Sequence, residues 1–173
     1  IKGFNSDGHK YIESAIEKGA KAFLVQEDIN IEGYTFIKVE DTRASMANVA
    51  DNFYNNPSKE LGVIGVTGTN GKTSITTFLS EILSSNNKKV GLVGTIKIFD
   101  GDKEVESSST TPESIDLQKH FRTMIDNGCD YCAMEVSSHS LVLNRVDETE
   151  FKLGIFTNLT PEHLDFHKDL EDY

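Results

Sequence analysis

The chain contains 173 residues, is 37% hydrophobic and carries a formal net charge of -11. Its length fits one domain and part of a second, and its composition is that of a folding chain rather than a disordered one. The excess of acidic over basic residues excludes a general polyanion-binding surface, so nucleic acid is not an expected partner. The sequence has no apolar run of the ~18–20 residues that a membrane span needs, so no membrane partner is expected.

The two cysteines, Cys129 and Cys132, have C-x-x-C spacing. A zinc site would need a second ligand pair, and a thioredoxin-like motif would begin a helix. Here the pair spans the end of a predicted helix and the start of a predicted strand. We therefore interpret both as small core residues of a cytoplasmic protein, where thiols stay reduced.

Residues 1–57 are predicted to be the C-terminal part of a small α/β domain. A turn at 5–8 precedes a short helix whose apolar stripe stops at Gly19, and strands follow at 22–25 and 34–39. Asp41 then caps a helix that ends at 55–57. Its expected apolar face comprises Met46, Val49, Ala50 and Phe53.

Residues 58–173 change to longer strand–helix units. Strands are predicted at 61–66, 90–94, 131–136 and 153–157, with a continuous apolar run in the first. Ile75, Phe78, Leu79, Ile82 and Leu83 predict one amphipathic helix, and a second is opened by 110–113 and closed by Gly128. The fold class is therefore α/β, with a mostly parallel sheet whose ligand site lies beyond the strand carboxyl ends.

A glycine-rich segment, Thr67–Thr73, lies between the strand at 61–66 and the helix that follows it. Glycines let backbone N–H groups approach phosphate oxygens at a helix N-terminus, while Lys neutralises phosphate charge and Thr ligates Mg²⁺. Lys72 and Thr73 stand where those roles require. Val66 occupies a position that is glycine in the usual pattern, so the segment is a variant phosphate-binding loop.

Two further polar segments follow strands at the same edge of the predicted sheet. Glu135 ends the strand at 131–136, where a carboxylate can reach Mg²⁺. His163 and His167 stand four residues apart, as zinc ligands on a helix do, but the H-E-x-x-H motif is absent because Leu164 follows His163. Taken alone, such histidines are more commonly structural.

Four ordered strings now resemble the Mur ligase family, and within it the UDP-N-acetylmuramoyl-tripeptide synthetases. They are the loop from Gly65 to Thr73, Ser109–Pro112, Ala133–His139 and Thr157–Asp165. Residues 1–57 resemble the end of the family's N-terminal uridine-nucleotide-binding domain. Residues 58–173 resemble the first part of its central, P-loop-type ATP-binding domain.

The resemblance implies an ATP-dependent ligase that adds the third amino acid to UDP-MurNAc-L-Ala-D-Glu through an acyl phosphate, in peptidoglycan synthesis. The implied partners are small molecules: ATP, the UDP-MurNAc-dipeptide and a free amino acid, with Mg²⁺ as cofactor. The ATP-binding residues would be Gly68, Thr69, Asn70, Gly71, Lys72, Thr73 and Ser74. The catalytic residues would be Lys72, Glu135 and His163, with Thr73 and Glu135 on one Mg²⁺ and His163 on a second.

The same resemblance implies contacts from Thr110, Thr111, Ser137 and Arg145 to the nucleotide-sugar peptide. The residue two before Arg145 is Leu143, where some relatives carry a polar amide. The sequence begins with Ile1 in mid-pattern and ends at Tyr173 where a helix is expected to start, so we interpret it as part of a longer protein. Residues 1–173 alone are expected to have no ligase turnover.

Other functions are open at this point. A folylpolyglutamate or cyanophycin synthetase would keep the chemistry and change the substrate, although Ser109–Pro112 and Ser137–His139 favour the muramyl branch. A GTPase-type switch predicts D-x-x-G and N-K-x-D strings, which the sequence lacks. A non-catalytic scaffold would leave Lys72 and Glu135 without a role. The acceptor amino acid is not specified by these residues.

Overall fold

A computed structural model describes residues 1–3, 6–164 and 166–173. Phe4, Asn5 and Asp165 lie outside the described residues, and with them Asn5 of the predicted turn and the last residue of the fourth motif. The chain divides into two compact units, Ile1–Met46 and Ala47–Tyr173.

The first unit contains the predicted short helix and both predicted strands. Helix α1 covers Ile12–Glu17, and the parallel strands β1 and β2 cover Ala22–Val25 and Thr35–Lys38. The rings of Phe23 and Phe36 stack across the pair with centroids 5.0 Å apart. The expected elements of this segment are confirmed.

Helix α2 covers Thr42–Phe53 and begins where the sequence predicts. The carboxylate of Asp41 accepts hydrogen bonds from the N–H groups of Arg43 and Ala44, as an N-cap does. The predicted apolar face is wrong at two positions, because Val49 is 51% and Phe53 75% exposed. Ala50 is buried as predicted, and the buried side of the helix also includes Ala47, which was not predicted.

A six-stranded sheet forms the centre of the second unit. Its strands are β3 (Gly62–Thr67), β4 (Val90–Val93), β5 (Lys97–Phe99), β6 (Glu104–Glu106), β7 (Tyr131–Glu135) and β8 (Phe151–Phe156). The strand order is β6-β5-β4-β7-β3-β8, and β4, β7, β3 and β8 are mutually parallel. The predicted α/β fold with a mostly parallel sheet is confirmed.

Two long helices connect the parallel strands. Helix α3 covers Lys72–Ser85 and α4 covers Ser114–Asp126. The α4 side chains Leu117, Phe121 and Met124 are fully buried in one apolar cluster with strand residues such as Val63 and Met134. Gly128 ends α4 in the left-handed conformation, with φ of 79°, as predicted from its position after the helix.

The sequence did not predict the antiparallel hairpin β5–β6 or the short helix α5 (Ser138–Val142). The expected cap of α4 is also different in detail. Glu113 holds the N-cap position without a side-chain hydrogen bond to the helix, and the Thr111 hydroxyl donates to the carbonyl of Glu135 instead.

Both cysteines are free and buried in the core cluster, as their interpretation requires. Burial raises the pKa of both thiols, that of the fully buried Cys132 most, and so disfavours the thiolate forms that metal binding and disulfide exchange require. They act as small apolar residues rather than as a redox pair.

The two borders of the sheet differ in character. Strand β6 presents Glu104 and Glu106 on its exposed surface, whereas Leu153 and Phe156 of the border strand β8 are 50% and 64% exposed. Among the helices that the structure describes, none combines the length and apolarity needed to cross a membrane.

Replacing Phe121 by Ala is expected to lower the free energy of unfolding by about 3–5 kcal/mol, because it removes a fully buried ring and leaves a cavity. Urea denaturation followed by circular dichroism measures this change. Phe78→Ala on α3 is the matched control, since that ring is 59% exposed and should cost less than about 1 kcal/mol. Equal losses in both variants would contradict the assigned core.

Candidate active site

The segment between β3 and α3 forms a tight loop at the carboxyl end of the sheet. Gly68 and Gly71 take positive φ values of 124° and 88°, which side chains rarely adopt. Gly71 also occupies the N-cap position of α3 and has no side chain to cap the helix. The N–H groups of the first helical turn can therefore serve an anion, which the helix dipole also favours.

The segment after β8 fixes this loop in place. The Thr69 N–H donates to the Asn158 carbonyl and the Asn70 N–H donates to the Asn158 side-chain oxygen, each at a distance of 3.0 Å. The Thr157 hydroxyl donates to the carbonyl of Asn70. The Thr69 hydroxyl donates to the Thr160 carbonyl at a distance of 3.1 Å. The loop and the fourth motif are thus parts of one hydrogen-bonded arrangement.

Lys72 points back over the loop. Its ammonium group donates to the carbonyls of Gly68 and Thr69 at 2.7 and 2.9 Å. It is partly buried, and a cation held in this position adds positive charge to the donors of the loop. The arrangement suits a phosphate chain lying across the N-terminus of α3.

The carboxylate of Glu135 lies beside the loop at the end of β7. It is only 1% exposed and accepts hydrogen bonds from the Thr73 hydroxyl and from the Thr95 N–H, both at a distance of 2.9 Å. The Thr95 hydroxyl lies 3.1 Å from its second oxygen. The carboxylate, Thr73 and Gly94 line a cavity of about 210 Å³. A buried carboxylate and a hydroxyl are hard oxygen donors of the kind that Mg²⁺ prefers.

The residues expected to contact the nucleotide-sugar peptide are gathered next to Glu135. The Thr110 hydroxyl lies 3.1 Å from that of Thr95, and the Thr111 hydroxyl accepts from the N–H of Ser137. Arg145 donates to the Thr111 carbonyl at 2.9 Å.

Arg145 also pairs with Glu113 at 2.7 Å. The sequence predicted neither this ion pair nor the Thr95 contacts. It carries a weak signal for both, since Thr95 follows a predicted strand and Glu113 belongs to the segment that opens a predicted helix.

His163 lies in a separate aromatic cluster. It has a left-handed backbone, with φ of 57°, and its ring centroid is 4.8 Å from that of His139 and 6.2 Å from that of Tyr173. The Tyr173 hydroxyl is in turn 3.0 Å from the Thr69 hydroxyl. His167 is buried beside the same rings. The structure therefore brings His163 near the loop through Tyr173, without a described contact to Glu135.

One group of three potential metal ligands occurs within the described residues, and it is in the first unit: Asp7, His9 and Glu27. Both ring nitrogens of His9 are already engaged, Nδ1 with the Asp7 carboxylate at 2.6 Å and Nε2 as acceptor from the Gln26 N–H. These hydrogen bonds account for the positions of Asp7 and His9 without a metal ion.

Comparison with known proteins gives the family. A family model for the Mur ligase middle domain matches residues 66–173, and one described as the Mur ligase family catalytic domain matches residues 1–67. The chain belongs to the Mur ligase family. The resemblance drawn from the four motifs is thereby confirmed.

Individual Mur ligases are similar over the whole chain. It is 78% identical to the UDP-N-acetylmuramoyl-L-alanyl-D-glutamate–2,6-diaminopimelate ligase of Clostridioides difficile strain 630 and 54% identical to that of Alkaliphilus metalliredigens strain QYMF. Both matches cover 100% of this chain, but only 36% and 35% of the relatives. The chain thus spans about a third of the length of these ligases.

Solved structures agree on the fold. A structure of a ligase of the same name superposes with a TM-score of 0.80 at 26% identity, over 95% of this chain and 33% of the other. The MurF ligase of Thermotoga maritima, solved in complex with ADP, has a TM-score of 0.61 at 21% identity, over 99% and 36%. At that identity the second likeness supports the fold alone.

Substituting Gly68 by Ala is expected to weaken binding of a fluorescent ATP analogue by at least about 10-fold. A Cβ atom there would stand 2.2 Å from the Thr157 hydroxyl oxygen, in a backbone conformation that side chains rarely adopt, so the loop must leave its place. Gly128→Ala is the control, because φ at Gly128 is also positive, at 79°, but a Cβ atom there would meet no atom within 4 Å. It should lose stability without losing nucleotide affinity, and equal affinities for both variants would exclude this role of the loop.

Proposed function

We propose that the protein containing this chain is an ATP-dependent amide ligase that adds 2,6-diaminopimelate, as third amino acid, to UDP-MurNAc-L-Ala-D-Glu in peptidoglycan synthesis. The observation that carries the proposal is the 78% identity to the Clostridioides difficile diaminopimelate ligase over the whole chain. The geometry around Lys72, Thr73 and Glu135 supports it with a suitable phosphate and cation site.

The chemistry proceeds in two steps. The γ-phosphoryl group of ATP passes to a carboxylate of the dipeptide, which releases ADP and gives an acyl phosphate. The amine of the incoming amino acid then attacks the acyl carbon, and inorganic phosphate leaves as the amide bond forms. Phosphoryl transfer depends on in-line positioning and on neutralising charge at the oxygens of the transferring group.

Each loop residue has a task in that scheme. Lys72 exchanges its two carbonyl acceptors for oxygens of the β- and γ-phosphates, and the first turn of α3 donates N–H groups to the same chain. The loop segment Gly68, Thr69, Asn70, Gly71 with Thr73 and Ser74 surrounds the phosphates. Thr111, Ser137 and Arg145, together with Thr110, hold the nucleotide-sugar peptide on the other side of Glu135.

Mg²⁺ is proposed as the cofactor, with Thr73 and Glu135 as its protein ligands. Bound there, the cation would neutralise charge on the phosphate oxygens. His163 is proposed as ligand of a second cation, which its position near the loop supports.

We further propose a cytoplasmic location, because the substrates are nucleotides of that compartment and both cysteines are reduced core residues. The domain assignment that we propose keeps residues 1–57 in the uridine-nucleotide-binding domain and 58–173 in the central ATP-binding domain.

Replacing Lys72 by Ala in the full-length protein should lower the rate of amide formation by ~3 or more orders of magnitude, by analogy with other cationic groups that stabilise transferring phosphoryl charge. Steady-state phosphate release measures it. Lys119→Ala removes an exposed lysine of α4 and should leave the rate unchanged. Rates within about 10-fold of wild type for the Lys72 variant would contradict its role.

The substrate assignment is tested by a screen of amino acids with the full-length protein, ATP and UDP-MurNAc-L-Ala-D-Glu. We expect phosphate release with 2,6-diaminopimelate that requires both the amino acid and the UDP-linked dipeptide. Phosphate release with L-lysine but not with 2,6-diaminopimelate, each in the presence of the dipeptide, would contradict the proposed acceptor. Release with a folate substrate in place of the dipeptide would contradict the muramyl assignment and favour a folylpolyglutamate synthetase.

A further inference from the structure

Within the described residues the buried Glu135 carboxylate accepts three hydrogen bonds, and Thr95 supplies two of them. The Thr95 N–H donates to Oε1 of Glu135 at a distance of 2.9 Å, and the Thr95 hydroxyl donates to Oε2 at 3.1 Å. Both carboxylate oxygens are therefore oriented by one residue of the β4–β5 turn. The third donor, the Thr73 hydroxyl, is itself a proposed cation ligand and cannot serve as a fixed support.

Gly94 gives the carboxylate its space. A Cβ atom at this position would stand 2.5 Å from Oε1 of Glu135, closer than side-chain carbons approach. The Gly94 N–H donates to the carbonyl of Lys97, which closes the turn that presents Thr95. The Gly94–Thr95 pair is therefore a cradle in which the first residue leaves room and the second supplies the donors.

The Thr95 hydroxyl also faces the proposed substrate side of the site. It lies 3.1 Å from the Thr110 hydroxyl and 3.1 Å from Oε2 of Glu135. The Thr95 hydroxyl is placed to donate to both oxygens, and because it has one proton the two acceptors compete for it. A ligand that displaces the Thr110 hydroxyl from this contact therefore leaves the Thr95 proton to the carboxylate and changes the hydrogen bonding of Glu135.

We propose that Thr95 is a positioning residue that orients Glu135 toward a divalent cation and couples this cation site to the nucleotide-sugar substrate bound at Thr110. The inference rests on the proposed function, because it takes the cation and the nucleotide sugar from it. It adds a residue to the site and a direction of communication between its two halves.

The expected size of the effect follows from the type of bond. Hydrogen bonds to a charged acceptor are the strong ones, and a buried carboxylate that loses a donor pays a desolvation penalty. Removing the hydroxyl in Thr95→Val, which keeps the backbone N–H, should therefore weaken divalent cation binding by about 10-fold. Thr95→Ser keeps the hydroxyl and should remain within about 2-fold of wild type.

The experiment measures Mn²⁺ binding to the full-length protein by electron paramagnetic resonance, with a non-hydrolysable ATP analogue present, with and without the UDP-MurNAc-dipeptide. In wild type, the dipeptide should change the Mn²⁺ dissociation constant by a measurable factor; in Thr95→Val this factor should fall toward 1. Thr123→Val is the matched control, since the Thr123 hydroxyl donates to the Lys119 carbonyl within α4.

Gly94→Ala provides an independent route, because it displaces the carboxylate and leaves the Thr95 side chain unchanged. It should weaken Mn²⁺ binding as well, and it keeps the test valid if Thr95→Val fails to fold, which circular dichroism reports. Thr95→Val with wild-type Mn²⁺ affinity would overturn the inference. An unchanged coupling factor beside weakened Mn²⁺ binding would overturn its second half.

The two levels of proposal fail differently. If the wild-type protein binds neither Mn²⁺ nor the ATP analogue, the proposed function is wrong and the variants are irrelevant. If wild type binds both while Thr95→Val and Gly94→Ala match it, the function stands and the positioning role of Thr95 is wrong.

Discussion

Burial of one carboxylate is the constraint on which the edge of the sheet depends. A carboxylate as buried as that of Glu135 must be surrounded by hydrogen-bond donors or cations, since an uncompensated buried charge costs several kcal/mol. Its donors come from segments after β3 and β4, while Glu135 itself ends β7. The register that pairs Val66 with Glu135 must be kept, because a slip of one residue would turn the carboxylate to the other face.

The same edge explains why residues far apart in the chain act together. The carboxyl ends of parallel strands lie at one edge of the sheet. Asn158 after β8 can therefore bind the loop after β3. At the same edge, the Thr111 hydroxyl donates to the carbonyl of Glu135 at the end of β7 and accepts from the N–H of Ser137. Asn158 contacts the loop between β3 and α3, and Thr111 contacts Glu135 and Ser137, which adjoin the proposed substrate residues. Glu135 lies between the two sets of contacts.

The sequence predicted the elements whose periodicity is strong and the loop whose order of residues is tied to a mechanism. The runs at β3 and α3 and the Gly71-Lys72-Thr73 string are of that kind. The hairpin β5–β6 escaped because its strands have three residues each, although Asp100-Gly101 is a typical turn pair. Thr95 was not predicted because its proposed role depends on a contact with a residue 40 positions away, which no local pattern reports. The apolar stripe predicted helix α3 correctly but not the burial of its residues, since Phe78 and Ile82 are both 59% exposed.

The unlike borders of the sheet have a practical consequence for handling this chain in solution. A row of free strand groups recruits another strand unless charge or twist prevents it. The glutamates of β6 repel a second copy, whereas β8 combines one exposed lysine, Lys152, with the apolar surface around Leu153 and Phe156. Self-association of these 173 residues would therefore begin at β8, and a second lysine at an outward position of that strand is the simplest way to keep dilute samples monodisperse.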